Sequence, residues 1–161
     1  MHARKVIHPL LLEPNYWRTR LETLKSRRPS VMLMPRPDLS GGGKDVVEFR
    51  LRAHDGQRLW GLLARPLWHK GSRPARVRFV GPTQRATLDC VALEDGFAEL
   101  VFQEPAGRRL EDRVLDVLRV CQLARGTKGI DCERIALTAP DEREPDEFLI
   151  ARELFEAAFQ A

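Results

Sequence analysis

Between Glu133 and Asp146 the chain reads ERIALTAPDEREPD. Arg134 to Thr138 is a short apolar run, long enough for one strand and too short for a helix. Pro140, Asp141 and Pro145 stop it, because proline has no N–H for a ladder and pushes the preceding residue out of helical geometry. A helix then starts near Pro145, whose fixed φ suits a first helical position, with Asp146 and Glu147 at its positive end. A strand that breaks sharply into a helix belongs to a parallel sheet with crossover connections. No other stretch restricts the fold as much.

The preceding residues repeat that rhythm. Asp45 to Leu51 alternates, with Val47, Phe49 and Leu51 on one side, as a half-buried strand does. Asp55-Gly56 marks a hairpin turn, and Gln57 to Arg65 returns as a second strand that Pro66 stops. Arg76 to Val80 is a third strand, Thr87 to Asp95 a short helix, and Phe97 to Phe102 a fourth strand. Arg108 to Arg125 is the strongest helix, with an apolar stripe of Leu110, Val114, Val117, Leu118, Cys121 and Ala124. In the last helix Phe148, Ala151, Leu154, Phe155, Ala158 and Phe159 are expected to face the sheet. A hairpin leading into alternating strands and helices gives an α/β fold with a mixed, mostly parallel sheet.

Residues 1 to 44 read as a basic N-terminal appendage and linker before an α/β domain of residues 45 to 161. The appendage holds nine Lys or Arg against three Asp or Glu, and the remainder eighteen against twenty, so the positive charge belongs to the N-terminal segment. Asn15 caps a helix running to about Ser26, with Trp17, Leu21 and Leu24 on one face. Arg18, Arg20, Lys25, Arg27 and Arg28 cover much of the rest. The spacing predicts an amphipathic helix lying on the body with its basic face in water. The same five residues are also the place for an anionic partner, nucleic acid included. Pro29 to Lys44, with three prolines and Gly41-Gly42-Gly43, reads as a loop or linker with a hinge.

The three cysteines, Cys90, Cys121 and Cys132, have no CxxC spacing and read as small core residues without disulfides. His2, His8, His54 and His69 show no HExxH-like spacing, so neither a metal nor a cofactor is expected. No apolar run approaches the ~20 residues a membrane helix needs, and no signal-peptide pattern opens the chain. The expectation is a cytoplasmic protein with no membrane association.

The hairpin HDGQRLWGLLARP, His54 to Pro66, and the stretch GIDCERIALT, Gly129 to Thr138, carry a resemblance. In this order the chain resembles the N-terminal half of α/β-hydrolases, nearest to the acetyl xylan esterase, cephalosporin deacetylase and dienelactone hydrolase group. The shared hairpin positions are Asp55, Gly56, Leu59, Gly61, Leu63 and Pro66. The resemblance covers roughly residues 45 to 159 and implies a five-stranded sheet in the order 1-2-4-3-5 with flanking helices. Under that order the third and fourth strands are neighbours, so the unexpected charges of Arg76 and Arg78 have Glu99 as a partner.

The departures bear on function. The resembled family places G-x-S-x-G after its nucleophile strand, on a strained turn that needs small residues. Here that place holds Ala139, Pro140, Asp141, Glu142 and Arg143. Asp141 falls where the serine would be, and it is the one weak candidate for a catalytic residue. The family's histidine follows the nucleophile, and this chain has none after His69. The turn after the third strand, Gly81 to Arg85, contains Pro82, which has no N–H to offer an oxyanion. The expectation is a truncated, non-catalytic hydrolase-like domain used in binding or assembly, with an enzyme completed by a partner chain as the alternative. With no further strands, Arg134 to Thr138 becomes a sheet edge. Ile135 and Leu137 on it, or the last helix, are expected to join a second copy or a protein partner.

Overall fold

The computed structural model describes residues 14–67, 71–88, 93, 95–138 and 146–159. Six strands form one sheet: β1 (Val31–Pro35), β2 (Lys44–Arg52), β3 (Arg58–Pro66), β4 (Arg73–Val80), β5 (Ala98–Gln103) and β6 (Ile130–Thr138). The helices given bounds among the described residues are α1 (Pro14–Ser26), α2 (Leu110–Gly126) and α3 (Asp146–Phe159). The sheet order is β1-β2-β3-β5-β4-β6. β1, β2, β3 and β5 pair antiparallel, and β5, β4 and β6 pair parallel. The expected order of the five strands from β2 onward is therefore present.

A sixth strand corrects the five-stranded expectation. β1 lies inside the stretch read as a linker. Val31 to Met34 supplies four apolar residues, and the flanking prolines do not prevent pairing because the strand is an edge. The glycine run forms a turn: Gly41, Gly42 and Gly43 all have positive φ, and Gly41 and Lys44 bridge each other at the start of β2. β1 and α1 are thus both built onto the sheet that residues 45 to 161 form.

One face of the sheet holds the main core. Phe49, Leu51, Leu59, Leu63, Val77, Phe79, Leu100, Phe102, Ile135 and Leu137 meet buried residues from all three helices. α2 is buried nearly all round from Val114 to Cys121, because it is flanked by the other helices as well as by the sheet. α1 inserts Trp17 and Leu24 into this core. The last carbonyls of α1 have no backbone N–H partners within the helix, and Ser26 Oγ serves the Thr23 carbonyl at 2.9 Å. Gln122 of α2 donates to the Leu24 carbonyl at 3.0 Å and Arg119 to the Arg27 carbonyl at 3.0 Å, which closes that end. In α3 Ile150, Ala151 and Phe155 are buried; the expected positions Phe148, Ala158 and Phe159 lie outside the described side chains.

The other face is smaller and mixed. Val46, Leu62, Ala64, Val80 and Val101 pack with Ala86 and Leu93. Beside them Glu99, fully buried on β5, faces Arg78 of β4 at 2.8 Å. The neighbour expected from the charge pattern is present. Arg78 also donates to the Thr87 carbonyl, tying the connection after β4 to the sheet. Most of the helix expected at Thr87 to Asp95 falls outside the described residues; Leu93 is helical, and Thr87 and Leu88 are not.

Candidate functional site

In open α/β sheets ligands bind beyond the carboxyl ends of the parallel strands. Here that edge is formed by the ends of β4, β5 and β6. The β2–β3 turn joins it, because Trp60 near the start of β3 pairs with Gln103 at the end of β5.

The turn after β4 satisfies itself. The Gln84 N–H donates to the Gly81 carbonyl at 3.0 Å, and the Gly81 N–H donates back to Gln84 Oε1 at 3.1 Å. Gln103 Nε2 donates to the Pro82 carbonyl at 2.8 Å. Stabilising an oxyanion needs backbone donors aimed at empty space. The Gly81 N–H is spent on a side chain, and Pro82 has none. The sequence showed the proline; Gln84's role becomes visible only in three dimensions. The residues aligned with the nucleophile turn, Ala139 to Arg143 and with them Asp141, lie outside the described residues.

A cluster of charged groups sits at the same edge. The Arg108 guanidinium, 4% exposed, donates to both oxygens of Asp116 at 2.9 and 2.7 Å, and also to Asp55 and to Gln57. The bond from Arg108 holds the Asp55 carboxyl below the usual carboxylate range despite partial burial. Burial raises the Asp116 carboxyl, and the two bonds from Arg108 oppose that rise. His54 Nε2 lies 3.1 Å from Asp112 Oδ1. Asp112 and Asp116 share a face of α2 because they are four residues apart. That spacing was the available sequence signal, but the His54–Asp112 approach spans too much chain to be read from it.

His54, Asp55 and Asp112 could offer three ligand atoms within 4.8 Å of one another to a metal ion. Arg108 bonded to Asp55 places a fixed positive charge there, so the cluster works as an ion network joining the β2–β3 turn to α2. A His–Asp pair can pass a proton, but acyl transfer also needs a nucleophile. Among the described residues no serine, threonine or cysteine is hydrogen-bonded to His54.

The other predicted residues are spread out. Arg18, Arg20, Lys25, Arg27 and Arg28 are all exposed, as expected. Arg20 lies over the Tyr16 ring at 3.6 Å. Lys25 and Arg28 line a groove of about 760 Å³ with Arg125, Gln122 and Cys132, where the ends of α1 and α2 meet. Ile135 and Leu137 lie on the sheet edge, but both side chains turn into the core at 8% and 7% exposure. Any pairing there would use the backbone and the exposed Glu133, Arg134 and Ala136. Cys121 is buried, which pushes its thiol up, and Cys132 is partly exposed; both are free, and Cys90 is outside the described residues. Among the described residues no helix is long and apolar enough to cross a membrane.

No family model and no curated protein matches the sequence. Solved structures do match the fold. An acetyl xylan esterase from Paenibacillus sp. R4 superposes with a TM-score of 0.64 at 15% identity, over 79% of this chain and 52% of that one. Acetyl xylan esterase 1 from Thermoanaerobacterium sp. JW/SL YS485 gives 0.63 at 17% identity, over 80% and 50%. A glucuronoyl esterase from Solibacter usitatus gives 0.54 at 10% identity, over 79% and 53%. The fold is α/β-hydrolase-like. The chain spans about half the length of these esterases.

Proposed function

We propose that the chain is a non-catalytic α/β-hydrolase-like domain that acts in protein binding or assembly. The observation that carries this reading is the turn after β4, whose Gly81 N–H is bonded to Gln84 where an esterase would need a free donor. The sequence APDER after β6 supports it, since it offers no hydroxyl and neither of the two glycines of the strained nucleophile turn. A partner could meet the outer side of β6 through its exposed Glu133 and Arg134, or α3 at its exposed Leu149. The test is hydrolysis of short acyl esters by the purified chain. The expected rate equals that of the buffer, whatever the protein concentration. A rate that grows with protein and is raised by a partner chain supplying a histidine favours the reading as an enzyme completed in trans.

A second reading follows from the groove where Lys25 and Arg28 meet Arg125. Basic groups converging on one cleft are the footprint of phosphate recognition, so the groove would bind nucleic acid. That reading requires binding that weakens steeply with salt and with Lys25→Glu and Arg28→Glu together. Binding indifferent to salt removes it.

A further inference from the structure

The two edges of the sheet are unlike. β6 turns Ile135 and Leu137 inward, exposes the charged Glu133 and Arg134, and has its Leu137 carbonyl bonded by Arg152 of α3. Outward charges and a covering helix are the usual protections of an edge strand. Among the described residues, β1 at the opposite edge has neither. It carries no charged residue from Val31 to Pro35, and Val31, Met32 and Leu33 are 37%, 59% and 50% exposed. These are three of the exposed large apolar residues among the described part of the chain, and they are consecutive.

The backbone of β1 is prepared for a partner strand. The Arg36 N–H points inward, donating to the Val46 carbonyl at 2.9 Å. Alternation along the ladder then points the N–H and C=O of Met34 and Met32 inward and those of Leu33 and Val31 outward. Pro35 falls on the outward side, where its missing N–H costs the sheet nothing. We infer that β1 pairs antiparallel with β1 of a second copy of this chain, about a two-fold axis at Leu33. In that register each Leu33 N–H donates to the Leu33 carbonyl of the other copy, and each Val31 N–H donates to the other copy's Pro35 carbonyl. The missing donor of Pro35 leaves only the Val31 carbonyl to water. Met32 of one copy comes beside Met34 of the other, where their flexible side chains fill the pleat. The register uses the whole strand and sets no like charges opposite each other. The result is a continuous sheet through both copies, held by main-chain bonds with apolar contacts on each face.

This inference goes beyond the proposed function and stands whether or not the chain turns over an ester. Sedimentation of the full chain at micromolar to tens of micromolar concentration tests it. The wild type is expected to sediment as a dimer. Leu33→Lys places two ammonium groups at the axis and is expected to weaken the dimer ~100-fold or more, leaving a monomer with unchanged circular dichroism. Leu33→Thr, which keeps strand propensity, guards against a folding failure and is expected to weaken it about tenfold. A wild type that stays monomeric overturns the inference, as does a dimer that survives both substitutions. Ester hydrolysis is read separately, so a loss of dimer and a gain of activity cannot be confused.

Discussion

A methyl group at Gly61 would overlap the Val101 carbonyl oxygen and the Phe49 ring. The glycine of the hairpin motif is therefore a spacing device, letting β3 lie close to β5 under a phenylalanine. Gly61→Ala is expected to cost about 2–3 kcal/mol in urea denaturation, the usual range for overpacking; a loss below a few tenths would show that the strands can part. Arg78 and Glu99 make the second residue-scale case. Arg78→Met removes one guanidinium from a fully buried carboxylate, and about 1–3 kcal/mol of stability should go with it. Stability equal to wild type would mean that the carboxylate is satisfied without the guanidinium. The third case depends on pH. The folded-state pKa of Asp55 is depressed by Arg108, so its contribution is present above about pH 4, the unfolded value, and fades as pH falls through the lower folded value. Asp55→Asn should lower Tm at pH 7 and match wild type progressively below pH ~4. A deficit that stays constant down to pH 2 would contradict the Arg108 link. The Arg78–Glu99 pair was legible because two adjacent strands carried opposite charges where charges are unexpected. The His54–Asp112 contact was not, since nothing local in either stretch points to the other.

Among the elements, α1 shows what helical periodicity reveals. Trp17 and Leu24 were on the predicted apolar face and are 3% and 2% exposed. Trp17→Ala should therefore cost about 3 kcal/mol, measured as a shift in the urea midpoint at unchanged slope. A change confined to the slope would indicate that α1 docks only loosely. What periodicity could not reveal is that α2 caps the end of α1 through Gln122 and Arg119. β1 escaped notice for a different reason. Its strand residues are bracketed by Pro29, Pro35 and a glycine run, which signal a loop unless the strand is known to be an edge. The same limitation affected Ile135 and Leu137. Their place on an edge strand was readable, but the direction of their side chains depends on which face α2 and α3 cover.

Across the whole molecule, strand order and layering were legible because strand and helix periods alternate cleanly from Asp45 onward. The candidate site was legible mainly as departures from the resembled motif: APDER after β6 in place of G-x-S-x-G, and Pro82 in the turn after β4. The self-bonded state of that turn needed coordinates, since Gln84 reaches back to Gly81 through a side-chain rotamer that no sequence pattern fixes. An α/β-hydrolase-like sheet thus carries, after β4, a turn whose Gly81 N–H is already bonded to Gln84. The most direct test compares wild type and Asp141→Ala side by side, following p-nitrophenyl acetate hydrolysis against protein concentration. Two flat lines at the buffer rate are predicted. A wild-type rate that climbs with protein concentration and vanishes in Asp141→Ala would contradict the account.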